Sequence, residues 1–166
     1  MQTHMPRIIF DTQIGRCAIE WNEAGLTAFE LPDAQPRSAD ETNRLAQVSA
    51  IIERVKRHLA GELQDFSDLA FDLALVPPFN AAVLRATLSV KAGETRTYGE
   101  IARLIGQPPS ASRAVGAALG ANRWPLLIPC HRIVSADGKM TGFSAPGGIG
   151  TKLRLLKIEG TQLFAE

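Results

Sequence analysis

Cysteine is scarce. Only Cys17 and Cys130 occur in 166 residues, too few for a disulfide-stapled fold. The three histidines, His4, His58 and His131, stand far apart in the chain, so no metal-ligand spacing is present and no metal site is expected. Aromatic residues make up 6% of the chain, and tyrosine occurs once, at Tyr98. No apolar run approaches the ~20 residues of a membrane-crossing helix. The N-terminal stretch lacks a basic start followed by an apolar core, so neither a membrane partner nor a secretory leader is expected. The expected compartment is the cytoplasm, or the nucleus for a eukaryotic source. What is there, 45% hydrophobic and 21% charged, is the ordinary composition of a folded domain.

The net charge of +1 hides an asymmetry. Residues 1–77 hold 7 Lys and Arg against 12 Asp and Glu, a net −5, whereas residues 78–166 hold 11 against 5, a net +6. An acidic half joined to a basic half suggests that the basic half meets an anion, nucleic acid among them. The sign changes at Val76-Pro77-Pro78, where two prolines resist helix continuation. We therefore divide the chain there, into 1–77 and 78–166.

The first half reads as three short strands, Arg7–Thr12, Gly15–Trp21 and Leu26–Leu31, in an antiparallel meander. After a proline-containing loop, Ser38-x-x-Glu41 has the form of a capping box. Behind it Leu45, Val48, Ile52, Val55 and Leu59 recur at helical spacing, with Gly61 as the stop. This helix is expected to cover one side of the sheet. In the second half, Phe79, Val83, Ala86 and Val90 mark a helix to about Lys91. Thr97-Tyr98-Gly99-Glu100 is a second capping box, opening a helix over Ile101–Ile105. Gly106-Gln107-Pro108-Pro109 breaks it, and Ser110 would cap a helix over Ala111–Leu119. Two short helices about a tight break outline a helix-turn-helix. The expected fold is thus α+β: a small N-terminal antiparallel β-sheet domain with a helix, and a C-terminal helical domain containing a helix-turn-helix.

The second helix of that pair is almost all small residues with one long probe, Arg113. A helix reading bases in the major groove carries several long polar side chains. This one fits either a tightly packed neighbour or a nucleic-acid surface read by shape. The segment Ile128-Pro129-Cys130-His131-Arg132-Ile133-Val134 then delivers a thiol, an imidazole and a guanidinium in succession. A thiol attacks only as the thiolate, and an adjacent base can generate it. A cysteine in an apolar run is equally readable as a buried hydrophobe.

That segment resembles the active-site signature of the O6-alkylguanine-DNA alkyltransferases. So, in the same order, do Gly93–Glu100, Arg113-Ala114-Val115-Gly116, Asn122 and the closing run Lys152-x-x-Leu155-Leu156-x-x-Glu159-Gly160, together covering about 78–160. The resemblance implies irreversible, single-turnover transfer of an alkyl group from O6-alkylguanine in double-stranded DNA to Cys130. His131 would deprotonate Cys130 through a water, and Glu159 would orient His131. Tyr98 would hold the flipped base, and Arg113 would fill the gap left in the duplex. Ser112 and Ala114 would join Arg113 on a DNA-binding face seated in the minor groove. Asn122 would brace the turn before the cysteine. Ile133, Phe143 and Ser144 would line the base pocket; the family usually has Tyr where Phe143 stands. No cofactor is implied, because the alkyl group comes with the DNA, and the protein would act as a monomer. Some relatives hold zinc through N-terminal Cys and His residues, but Cys17 has no partner cysteine and reads as buried. The alternative is a non-catalytic sensor of alkylated bases with the same fold, although such sensors lack the cysteine.

Overall fold

Three strands, Arg7–Thr12 (β1), Gly15–Asn22 (β2) and Gly25–Glu30 (β3), pair in the order β1-β2-β3. Both pairings are antiparallel. Arg7 faces Glu20 and Thr12 faces Gly15, while Ala18 faces Glu30 and Asn22 faces Gly25 across a register shift at Glu20 and Trp21. The computed structural model describes residues 6–32, 34, 46–137 and 148–161. The expected box at Ser38 and Glu41 lies outside them. The helix α1 (Ala46–Leu59) buries Val48, Ile51, Ile52, Val55 and Leu59 against the sheet and ends before Gly61. Cys17 is fully buried on β2, and burial pushes its thiol up to about 12 despite a hydrogen bond with Thr12.

The sheet does not stand apart from the second half. The Leu26 N–H donates to Ala70 O at 2.8 Å, and Leu26 O accepts from Asp72 N–H at 2.9 Å. The same carbonyl accepts the indole N–H of Trp124 at 2.9 Å. Farther along β3, Thr27 O accepts from Arg123 Nε at 2.9 Å and the Phe29 N–H donates to Arg123 O at 2.8 Å. The free edge of β3 is thereby covered, as an exposed strand edge requires. One apolar cluster runs from Ile8 and Phe29 through Val83 and Ile101 to Trp124, Ile133 and Leu155.

Pro78 opens the helix α2 (Pro78–Thr87), where its missing N–H costs nothing. The helix stops short of the expected Lys91. The Thr87 hydroxyl donates back to Val83 O at 2.8 Å, and Ser89 and Val90 continue as tight turns on Ala86 O and Thr87 O. Strand β4 (Arg96–Thr97) leads directly into α3 (Tyr98–Leu104). The capping box is complete: Glu100 N–H donates to Thr97 Oγ1 at 3.1 Å, and Thr97 N–H donates to Glu100 Oε1 at 2.9 Å. The helix therefore begins at Tyr98, three residues before the expected start. At its end Gly106 adopts φ +78° while Gln107 N–H reaches back to Ala102 O, the paired-bond ending that glycine makes possible.

Ser110 does not cap the next helix. Pro108 and Pro109 favour a tight 3-10 turn over Pro109–Ala111 instead, and α4 (Ser112–Gly120) follows with no side-chain cap. The two-residue strand β5 (Ile133–Val134) pairs in parallel with β4, Arg96 beside Ile133 and Thr97 beside Val134. The last helix among the described residues is α5 (Gly148–Ile158). The architecture is the expected α+β arrangement, with the helix-turn-helix in place.

Trp124 joins the halves through its indole N–H and an edge-on contact with Phe71, ring centres 5.7 Å apart. Trp124→Ala is expected to lower stability by about 3–5 kcal/mol in urea unfolding. Trp124→Phe should cost about 1 kcal/mol, because Asp72 still satisfies Leu26 O. Equal losses in the two variants would contradict this account.

Candidate active site

The approach to Cys130 is a stapled turn. Asn122 Oδ1 accepts Trp124 N–H at 2.9 Å, and Asn122 Nδ2 donates to Ile128 O at 3.0 Å. Inside this clamp the chain turns so sharply that Leu126, fully buried, adopts φ +77°. A branched residue held there stores of the order of 1–3 kcal/mol, which its buried side chain and the clamp offset. Pro129, at φ −81° and ψ 62°, makes a tight reverse turn in which Cys130 N–H donates to Ile128 O at 2.8 Å. Cys130–Arg132 then form one 3-10 turn before β5. Asn122 thus spans the turn that precedes the cysteine.

The carboxylate of Glu159 is the centre of the site. Glu159 follows the last residue of α5, and the helix ends in two bonds, Gly160 N–H to Lys157 O and Thr161 N–H to Leu156 O, with Gly160 at φ +72°. An acid at a helix C-terminus opposes the helix dipole. Here it is turned inward and surrounded by donors. Arg132 binds it in a fork, Nε to Oε1 at 2.9 Å and Nη2 to Oε2 at 2.7 Å, while Arg132 Nη1 donates to Val90 O at 2.7 Å. His131 Nε2 lies 3.0 Å from both carboxylate oxygens, and His58 Nε2, from α1, lies 2.8 Å from Oε2. Burial opposes ionisation of Glu159, but hydrogen bonds from Arg132, His131 and His58 outweigh it and hold the carboxyl well below the usual range.

These contacts fix the imidazoles. A carboxylate only accepts, so His131 Nε2 carries the hydrogen, and Nδ1 keeps a lone pair. Among the described residues that Nδ1 has no hydrogen-bond partner. Burial lowers the pKa of His131; its hydrogen bond and charge pairing with Glu159 pull it back up, and the charge of Arg132 opposes that pull. The ring is therefore neutral at rest and able to accept a proton. Burial pushes the Cys130 thiol up, against a hydrogen bond with the Asn122 side chain, the charge of Lys152 and the N–H groups of Cys130 and His131. Its cationic neighbour is thus Lys152 rather than the adjacent Arg132, whose charge is committed to Glu159. Lys152 is itself buried, with Nζ donating to Ile133 O at 2.9 Å.

Tyr98 is half-buried at the start of α3. Its ring packs over Gly116 of α4, 3.8 Å from where a side chain there would begin, an ordinary contact distance. The β4–β5 pairing sets the start of α3 beside the strand that follows Cys130. Arg113 and Ala114 are exposed on α4, and the Ser112 hydroxyl donates to Pro109 O at 2.6 Å. Phe143 and Ser144 lie outside the described residues. Two histidines and one carboxylate superficially resemble metal ligands, but the Arg132 guanidinium stands where a cation would sit. No metal-holding group of three or more His, Cys, Asp or Glu side chains occurs among the described residues.

The family model for the DNA-binding domain of 6-O-methylguanine DNA methyltransferase matches residues 78–161. The chain belongs to the methylated-DNA–protein-cysteine methyltransferase family. It is 36% identical over 158 residues to the methylated-DNA–protein-cysteine methyltransferase of Mycobacterium tuberculosis, covering 94% of this chain and 93% of that one. The crystal structure of the M. tuberculosis O6-methylguanine methyltransferase superposes with a TM-score of 0.81 at 33% identity, covering 98% of this chain and 97% of that one. The same bacterium's OGT in complex with DNA superposes with a TM-score of 0.77 at 36% identity, covering 93% and 92%.

Two residues of this site escaped the sequence reading. Lys152 stood there only as a letter in the closing motif, because nothing in the spacing says that its ammonium turns inward. His58 was readable in principle: it follows Ile51 and Val55 at helical steps on the buried face of α1, where a polar group must find a partner. Methyltransferase-family membership says nothing by itself of how this site responds to acid, but the buried groups do. Folding lowers the pKa of His131 below about 6.5 and that of Glu159 below about 4.3. The unfolded chain then binds more protons, so stability is complete above those values and lost as pH falls through them. Urea midpoints are expected to decline from about pH 6.5, with a steeper loss below about pH 4.3 that Glu159→Gln diminishes. A midpoint unchanged on acidification would contradict the buried ion cluster.

Proposed function

We propose that the protein repairs DNA directly, moving an alkyl group from O6 of guanine to the sulfur of Cys130, irreversibly and once per molecule. The observation that carries this reading is the Cys130-His131-Glu159 series in a chain of this family. A thiol is followed by a neutral imidazole with one free nitrogen, and that imidazole is locked to a buried carboxylate.

The lesion lies inside the base stack, so the nucleotide must swing out at a cost of a few kcal/mol. α4 enters the minor groove with its small residues close to the backbone, Ser112 and Ala114 beside it, and the exposed Arg113 takes the vacated space. Ile133 lines the pocket that receives the base. His131 Nδ1 takes the Cys130 proton through a bridging water, and Glu159 stabilises the imidazolium that forms. The thiolate attacks the alkyl carbon; the S–C bond forms as the C–O6 bond breaks, and the electron pair goes to the guanine. Tyr98 places a proton on the ring to improve it as a leaving group. The product thioether cannot leave at neutral pH, so the thiol is not regenerated. The alkyl group arrives with the DNA, so the reaction asks for no cofactor. Each lesion meets a single cysteine, which a monomer suffices to provide. No described helix is long and apolar enough to cross a membrane.

Intact-mass measurement after incubation with duplex containing O6-methylguanine is expected to show the gain of one CH2 group on Cys130. Cys130→Ala should show no gain while still binding the duplex. Tight binding by the natural protein with no mass change would establish the sensor reading instead. Arg113→Ala should slow transfer from duplex by on the order of tenfold and leave transfer from free O6-benzylguanine near the natural rate. Equal losses on both substrates would contradict the base-flipping role.

A further inference from the structure

The N-terminal half places one side chain directly on the carboxylate of the candidate triad. His58 is fully buried near the end of α1, and its Nε2 lies 2.8 Å from Glu159 Oε2. Its other nitrogen is also engaged, because Gln64 N–H donates to Nδ1 at 3.0 Å. That backbone donor fixes the tautomer: Nδ1 is the acceptor, so Nε2 carries the hydrogen and donates to Glu159. The ring is further held against Phe66, centres 5.4 Å apart. With both nitrogens occupied His58 cannot relay a proton. Its one available act is to donate to the carboxylate.

We propose that His58 is a positioning residue for alkyl transfer, a donor from α1 that disperses the charge of Glu159 and so holds His131 in line and neutral; this rests on the transfer reading above. The physical basis is competition for one anion. Glu159 meets Arg132 through two nitrogens, His131 through one and His58 through one. Each donor bound to the carboxylate offsets part of its negative charge and so weakens its pull on the others. Around His131 the charged and titratable groups are Glu159, Arg132 and His58, with Cys130 adjacent and Lys152 beyond it. Of these only Glu159 favours the imidazolium. Removing the His58 donor leaves Glu159 a stronger partner for His131⁺, so the imidazole stays protonated to higher pH. A protonated His131 cannot take the thiol proton. The geometry thereby gives α1, far from the cysteine in sequence, a part in setting the acid limit of the reaction.

The test compares His58→Gln with His58→Asn, two polar replacements of similar bulk. The glutamine amide reaches as far as Nε2 and still donates to Glu159. The asparagine amide keeps a partner for Gln64 N–H but falls short of the carboxylate. Single-turnover transfer from O6-methylguanine duplex is followed as a function of pH, with duplex affinity measured in parallel. For His58→Asn the acid limb of the rate is expected to move up by on the order of one pH unit, a loss of about tenfold at the foot of the limb that recovers at alkaline pH, with affinity unchanged. His58→Gln should follow the natural profile. The proposal is overturned if the asparagine profile coincides with the natural one, if both variants shift alike, or if the loss is uniform across pH. Failure of the natural protein itself to transfer would instead remove the reading on which the proposal rests.

Discussion

A carboxylate withdrawn from water loses several kcal/mol of hydration, and Glu159 recovers it through four donor nitrogens from three residues. Those donors come from two parts of the fold. Arg132 and His131 belong to the turn that carries Cys130, and His58 belongs to the helix over the N-terminal sheet. None can be removed cheaply, because a buried charge left short of partners is among the costliest single defects. The carboxylate therefore fixes where the end of α5, the cysteine turn and α1 stand relative to one another. The helix ending at Gly160, which turns Glu159 inward, follows from the same requirement.

The cysteine turn meets a second constraint from the opposite side. Leu126 sits at a φ that branched side chains avoid, and the chain accepts it because Asn122 clamps both ends of the turn and Trp124 is held by β3. Strand β3 is itself kept in place by its pairing with β2 and by the bridge from Leu26 to Phe71. Rigidity around Cys130 is thus borrowed from the sheet. In-line displacement at carbon tolerates little misplacement of the attacking atom, so a reactive group is better placed on a strained, clamped turn than on a free loop.

Much of this was legible in the chain. The three strands, the apolar face of α1, the capping box at Thr97 and Glu100 and the pair of helices about Gly106 all follow from periodicity and turn chemistry. Cys130, His131 and Glu159 were readable from motif order. The ends of elements were less so: prolines at 108 and 109 replaced the cap expected of Ser110, and α2 gave way to tight turns at Ser89 and Val90 before Lys91. The partners of Glu159 were legible only in part. Arg132 reads as a basic neighbour of the thiol, yet its fork points to the carboxylate. His58 joins Glu159 across 101 positions, a distance no local pattern spans. The buried ammonium of Lys152 is similarly invisible, since its exposure is decided by packing rather than by spacing.

The raised pKa of Cys130 and the neutral His131 fit together on the proposed chemistry. A permanently ionised thiolate is open to every electrophile and oxidant it meets, and a protein that acts once has one thiol to lose. Burial keeps the sulfur protonated at rest, while Asn122, Lys152 and the backbone N–H groups of the turn stand ready to stabilise the anion when it forms. The barrier to forming it is then lowered only when an acceptor for the proton and an alkyl carbon for the sulfur are present together. Latency of this kind demands a base that is uncharged at working pH, and in this fold burial keeps His131 neutral against the pull of Glu159. On the role proposed for His58, the packing of the N-terminal helix thus bears on that base through one carboxylate.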